Sequence, residues 1–258
     1  GVAQIFSTTS ASAALKEDGS VITGGNSDSG GNSSSVSNDL QSGVSQIFST
    51  FHSYAALKED GSVITWGDSY GGSDSSSVSA QIQSGVSQIF SNYSAFAALK
   101  EDGSVITWGN SYEGGDSSSV SSELQYGVFQ IFSTVWAFAA LKEDGSVITW
   151  GDPNNGGDSS SVSDQLSSGV NQIFSNSHSF AALKEDGSVV TWGVSTGGGD
   201  SSSVSDQLQS GVSQIFSEGH AFAALKEDGS VVTWGHSNYG GDSSSVSSEL
   251  QSGVSQIF

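Results

Sequence analysis

One string returns along the chain at a fixed interval, and that interval decides most of what the chain can fold into. GVAQIF opens at Gly1, GVSQIF recurs at Gly43, Gly85, Gly211 and Gly253, GVFQIF stands at Gly127 and GVNQIF at Gly169, every step being 42 residues. The six basic residues keep the same period, as Lys16, Lys58, Lys100, Lys142, Lys184 and Lys226. The repeats are therefore 1-42, 43-84, 85-126, 127-168, 169-210 and 211-252, with 253-258 a closing strand or the start of a seventh. Self-similarity at this period marks a chain whose units bury their apolar faces against one another, because no single unit can do so alone.

Each repeat reads as strands. GVxQIFS is a short β-prone run after Gly, followed by runs such as Phe96-Ala97-Ala98-Leu99-Lys100 and Ser104-Val105-Ile106-Thr107-Trp108. Between the last two stands Glu101-Asp102-Gly103, and Asp-Gly between apolar runs is a strong hairpin signal because Gly accepts a positive φ. The SSSVS segment is a candidate fourth strand, and only stretches of the SSELQ type offer a turn of helix. Val2, Ile5, Phe6, Leu15, Val21 and Ile22 cannot all face one side of a pleated sheet, so both sides need a neighbour. That predicts an all-β fold: a single β-propeller domain over 1-258 of six 42-residue four-stranded blades. Seven blades, the seventh incomplete in this chain, is the alternative count. Two β-trefoils or an open solenoid are competing architectures. Repeat 1 is atypical, with Gly24 and Asn32 where the others carry Trp66 and Asp74 or their equivalents. That conserved-in-register Trp is best read as packing between blades.

Composition removes several function classes. There is no Cys, which excludes thiol catalysis, disulfides and Cys-ligated metals. A net charge of -21 repels phosphate backbones and anionic membrane surfaces. No apolar run is long enough to span a bilayer. The chain lacks an initiator Met and a signal-like segment, so a processed chain or a piece of a longer one is expected. Acidic, Gly/Ser/Asp-rich, Cys-free repeats suit a bacterial protein that is secreted or at the cell surface.

The run AALKEDGSVITWG, followed by a Gly-rich loop and GVxQIFS, resembles the repeat of the regulator of chromosome condensation family of propellers, all along the chain. The matching core runs from Ala56-Leu57-Lys58 through Asp60-Gly61 to Thr65-Trp66-Gly67. The likeness is nearest to the short-repeat bacterial branch that includes beta-lactamase inhibitory protein II. It implies a propeller, usually seven-bladed, with a habit of binding proteins. The family's Gly-x-x-His before the second strand is missing, those places holding residues such as Thr50 and Ser53. Nucleotide-exchange activity on a small GTPase is accordingly not implied.

Function is sought where the repeats differ. One variable cluster follows QIFS and the other follows Trp-Gly. In an antiparallel meander both are connections at the same end of the sheet, opposite the constant Lys-Glu-Asp-Gly turn. The expected contact residues are Phe51, His52, Tyr70, Tyr93, Tyr112, Val135, Trp136, His178, His220, His236 and Tyr239, types that make adaptable binding surfaces. No catalytic residue is assigned. The paired Glu-Asp of each hairpin are adjacent residues whose side chains diverge, and all six copies are alike, as a solvated turn would be; no nucleophile elbow or phosphate-binding loop is present. The four His lack zinc spacing, and no metal site is assigned. No cofactor is expected; calcium enters only through the faint Gly/Asp likeness of the GGDSSS segment, whose Asp reads better as a turn cap. The expected function is a non-enzymatic propeller that binds a protein partner through one face. The alternatives are a structural segment of a long adhesin or fibre, which would self-associate end to end, and a glycan-binding propeller.

Overall fold

The computed structural model describes residues 1-257. It is all-β, with six antiparallel three-stranded sheets, each in the order first–second–third strand. The chain divides into two compact units, Gly1–Ile131 and Phe132–Phe258. The first three sheets comprise Val2–Ser7, Ala11–Lys16 and Val21–Gly25; Val44–Ser49, Ser53–Lys58 and Val63–Gly67; and Val86–Ser91, Ala95–Lys100 and Val105–Gly109. The others comprise Val128–Ser133, Ala137–Lys142 and Val147–Gly151; Val170–Ser175, Ser179–Lys184 and Val189–Gly193; and Val212–Glu218, Ala221–Lys226 and Val231–Gly235. Among the described residues no helix is long and apolar enough to cross a membrane.

The middle strand of a repeat is buried on both faces. Tyr54, Ala55, Ala56 and Leu57 are all buried, and the alternation sorts them between two neighbours. Tyr54 and Ala56 pack with Ala11, Ala13 and Leu15 of repeat 1, while Ala55 and Leu57 pack with Phe96 and Ala98 of repeat 3. In the second unit, Phe180 and Ala182 meet Ala137 and Ala139, and Ala181 and Leu183 meet Phe222 and Ala224. Small Ala residues let the sheets approach, and large rings fill what remains.

Trp is the staple between repeats. Trp66 Nε1 donates to the Gly30 carbonyl of the preceding repeat at 3.0 Å, and Trp108, Trp192 and Trp234 repeat the bond to Gly72, Gly156 and Gly198. Each Trp also stacks on the ring across from it in its own sheet, as Phe96 and Trp108 do at 5.3 Å. The acceptor must be Gly: Gly72 has φ +102°, and a Cβ there would lie 2.9 Å from the Phe96 ring. In repeat 1, Ser12 and Gly24 are cross-strand partners where other repeats place ring and Trp, so both halves of the staple are lost together. Its Ile5 is 65% exposed, whereas the equivalent Ile47 is 2% exposed.

The expected hairpin forms. Asp60 Oδ1 accepts from the Ser62 backbone N–H at 3.0 Å and from its hydroxyl at 2.6 Å. These bonds hold the Asp60 carboxyl below the usual aspartate range, the Ser62 hydroxyl contributing most. Gly61, at φ +76°, hands its carbonyl to Val86 N of the next repeat, and a Cβ there would sit 2.8 Å from Gly85 N. Most of the lysines prove to be staples as well. Lys58, Lys100, Lys184 and Lys226 donate to backbone carbonyls of Asp39, Gln81, Gln165 and Gln207, while Lys16 pairs with Asp18 at 3.0 Å.

The expected fourth strand is not a strand. Ser34–Val36, Ser76–Val78, Ser118–Val120, Ser160–Val162 and Ser244–Val246 are single 3-10 turns, and Ser202–Leu208 is a longer one. The Asp before each SSS outside repeat 1 acts as its cap, Asp74 Oδ1 accepting from Ser76 N at 3.0 Å. Thr65 Oγ1 donates to the Ser73 carbonyl at 2.7 Å and bonds the Ser75 hydroxyl at 3.0 Å, closing the segment locally. Side chains that satisfy nearby backbone compete with a ladder. The outer segment gives the third strand one backbone bond, Val63 N to Ile82 O at 2.9 Å. At the C-terminus, Gly253–Ile257 forms no strand, though Val254 N donates to Gly229 O as its counterparts do. Phe258, the last residue of the anticipated closing segment, lies outside the described residues.

Candidate functional site

The two variable loops meet in every repeat, as the parity of the strands requires. Asp68 N donates to His52 O at 3.2 Å, Asn110 N to Ser94 O at 2.9 Å, Asp152 N to Trp136 O at 3.0 Å, Val194 N to His178 O at 3.1 Å and His236 N to His220 O at 2.9 Å. A side chain two residues before these carbonyls adds a second tie. Thr50 Oγ1 donates to Gly71 O at 2.8 Å, Thr134 Oγ1 to Asn155 O at 3.0 Å and Asn176 Nδ2 to Gly197 O at 2.7 Å. Repeat 6 carries Glu218 at this place, and a carboxylate cannot donate that bond. There the first strand runs on to Glu218, Gly219 turns at φ +41°, and Tyr239 on the second loop is 54% exposed.

The first loops of neighbouring repeats are also hydrogen-bonded to each other. Phe51 N donates to Tyr93 O at 2.9 Å, Val135 N to Ser177 O and Ser177 N to Gly219 O, both at 3.0 Å. Backbones joined this way lie about 5 Å apart, the spacing at which equivalent side chains stack. In the first unit the stack is Phe51 on Tyr93, with centroids 4.4 Å apart and planes at 21°. His52 meets the edge of Phe51, and its Nδ1 bonds the Ser29 hydroxyl at 3.2 Å. Tyr70 and Tyr112 stand exposed on the second loops, each following an Asp68 or Asn110 side chain that caps its backbone N–H at 2.9 Å.

The second unit carries a longer ladder. Trp136 stacks on His178 at 5.1 Å, His178 on His220 at 4.9 Å, and His220 meets the edge of Tyr239 at 4.7 Å. His236 closes the row, 5.1 Å from Tyr239 and 6.3 Å from His220. A cleft of about 410 Å³ runs beside it, lined by the rings of His178, His220, His236 and Tyr239 together with Asn155 and Thr196. Trp136 is half-buried, as is Val135, which precedes it.

The hydrogen bonds fix the polarity of two rings. Asn155 Nδ2 donates to Asp152 Oδ2 at 2.7 Å, which turns Asn155 Oδ1 toward His178 Nδ1 at 3.0 Å. Because a carboxylate at neutral pH only accepts, His178 Nδ1 must carry the hydrogen, and neutral His178 keeps a bare Nε2. Burial pushes the His178 pKa down, with the neighbouring His220 adding to the shift, so this ring favours its neutral form. His236 has the opposite polarity: its Nδ1 accepts from Asn238 N at 3.2 Å, leaving the hydrogen on Nε2. Among the described residues no group of three or more His, Asp or Glu is arranged to hold a metal ion. His178 and His220 lie face to face at 15°, an arrangement that does not converge their nitrogens. The loop Asp residues considered for calcium are engaged as turn caps, as at Asp116, Asp158, Asp200 and Asp242.

The structure thus gathers Trp136, His178, His220, His236 and Tyr239 at one site, and Phe51, His52 and Tyr93 at another. Sequence reasoning missed Asp152 and Asn155. Both lie in a variable loop, but nothing in the string tells that Asn155 faces a His from the next repeat. Tyr126, 67% exposed, and Phe129, 48% exposed, were also missed; each departs from its repeat equivalents, which was the available signal.

The comparisons with known proteins bear on the fold. No protein-family model matches the chain, and no curated protein matches it in sequence. Among solved structures it is similar to yeast RCC1 (Prp20) in its complex with Kap60, with a TM-score of 0.52 and 17% identity, over 91% of this chain and 70% of that one. A second structure of Prp20p from Saccharomyces cerevisiae, a protein described with its binding to Gsp1p and histones, gives 0.51 and 17% over 91% and 72%. Human WBSCR16 gives 0.50 and 18% over 91% and 76%. The fold is that of an RCC1-like β-propeller, and at these identities the likeness is one of fold alone.

Proposed function

We propose that this chain is a non-enzymatic protein-binding propeller that engages its partner through the paired variable loops. Six blades is the count favoured by six hairpins, and kinship with the short-repeat bacterial branch belongs to the same proposal, as does a secreted or cell-surface setting. The observation that carries the reading is the ladder Trp136–His178–His220–Tyr239 beside its cleft, at the sequence positions where the repeats diverge. Drift in unconstrained loops does not account for rings held in register by backbone bonds. Such a surface is ordered before it meets a partner, which lowers the cost of binding. The fold neighbours add support, since Prp20 is described with Kap60, Gsp1p and histones.

Immobilised wild-type chain and a Trp136→Ala/Tyr93→Ala/Tyr112→Ala variant, exposed to the same protein mixture, test the reading. It expects at least one protein retained by the wild type and lost by the variant. Identical retention by both chains would remove the loops from any binding role. A second reading, a segment of an assembling repeat protein, is favoured by the exposure of Ile5 and Ile22 on the first sheet. It expects wild-type chains to sediment as concentration-dependent oligomers, and Ile5→Ser/Ile22→Ser chains as monomers.

A further inference from the structure

The cleft beside the ladder has a polarity that its aromatic composition does not disclose. The chain Asp152–Asn155–His178 leaves His178 Nε2 as a lone-pair acceptor, and the tie is built from buried groups, Asp152 being 6% exposed and Asn155 9%. Tyr239, 54% exposed, offers an aromatic surface at the same cleft. The charge around it has one sign. All six lysines belong to the hairpin turns at the opposite end of their sheets, so the loops contain no Lys or Arg, while Glu218 precedes His220 and is exposed. Over the whole chain the net charge is -21.

We propose that this cleft receives an arginine side chain from a basic segment of a protein partner, the guanidinium donating to His178 Nε2 and lying against the Tyr239 ring. This rests on the protein-binding reading and specifies the partner's chemistry. A guanidinium is planar, weakly hydrated and rich in donors, so it matches an acceptor beside a ring better than a compact, strongly hydrated ammonium does. The negative field of the chain draws a basic segment in, and the cleft selects the side chain. The depressed basicity of His178 keeps its acceptor free of a competing proton at neutral pH.

The test uses N-acetyl-arginine amide and its uncharged isostere N-acetyl-citrulline amide, titrated separately into the whole 15N-labelled chain at neutral pH. Long-range imidazole 1H–15N spectra report the four His separately and read their tautomers. The expected free state has His178 with its hydrogen on Nδ1. Arginine amide is expected to shift His178 and His220 saturably, citrulline amide roughly tenfold more weakly, and His52 in the first unit to stay unmoved. Tyr239→Ala and Asn155→Ala, which leave the net charge unchanged, are each expected to weaken the arginine response. Equal responses to arginine and citrulline, an equal shift at His52, or an undiminished response in Tyr239→Ala would each overturn the proposal. The isostere comparison needs no variant, so misfolding cannot imitate the result. Loop-dependent partner capture without an arginine response would sink this proposal and leave the protein-binding reading standing; an arginine response without partner capture would leave a guanidinium site in the cleft and overturn its assignment to a protein partner.

Discussion

The loops of Gly1–Ile131 and those of Phe132–Phe258 hang on the same backbone frame, yet they stack different residues. In the first unit the rings sit at Phe51, whose N–H bonds the next repeat, and at Tyr93, whose carbonyl accepts that bond. In the second they sit one residue later, at Trp136, His178 and His220. Both places lie in a bend rather than in a strand, so a shift of one place moves the ring row along the loop. The later place faces the second loop of the preceding repeat in both units: His52 Nδ1 reaches Ser29, and His178 Nδ1 reaches Asn155. Rings placed there become part of a polar cleft, whereas Phe51 and Tyr93 form an apolar stack without an ionisable ring between them. One frame therefore supports two chemistries, selected by which of two adjacent residues is aromatic.

The comparison breaks most severely if the frame itself is not shared. Trp108→Ala in the first unit and Trp192→Ala in the second each remove a buried ring and its bond to a glycine carbonyl. Each is expected to cost about 3–5 kcal/mol, and urea midpoints of the two variants should agree. Unequal losses would mean that the loops differ because their supports differ.

A smaller effect separates the chemistries by pH. The folded pKa of His178 lies below that of the unfolded chain, so the unfolded state takes up the proton first. Stability is then unaffected well above the ordinary His value and falls as the pH drops from about 6.5 toward the lower folded value. His178→Gln should flatten this slope in thermal melts between about pH 7.5 and 5.5, while Phe51→Leu should leave it in place. A slope unchanged by His178→Gln would assign it to other groups.

The smallest effect concerns the tie lost in repeat 6. Glu218→Thr restores a donor where Thr50 and Thr134 already supply one, and is expected to add about 0.5–1 kcal/mol. A rise in the urea midpoint checks it.

Much of this molecule was legible beforehand for one reason: a pattern written six times averages out local ambiguity. The hairpin at Asp60-Gly61 follows from turn chemistry, and the packing role of Trp66 follows from its place in register. The pairing of the two variable loops follows from counting strands. The SSSVS segment misled because its place after the third strand carries no record of the local bonds that Asp74 and Thr65 make with it. The cleft was half legible. Its rings were named from variability, but Asn155 was not, because its meaning comes from a histidine in the next repeat.

Sequence alone determined the repeat, the hairpins, the acidic balance and the concentration of most diversity in two loops, since each is a property of local order along the chain. Tertiary structure decided which side chains meet. Contacts between repeats depend on how closely Ala-lined sheets approach and on which side of the backbone a residue falls. The stacking of Trp136, His178 and His220, and the bare nitrogen that Asp152 and Asn155 impose on His178, exist only once neighbouring repeats are hydrogen-bonded at their loops.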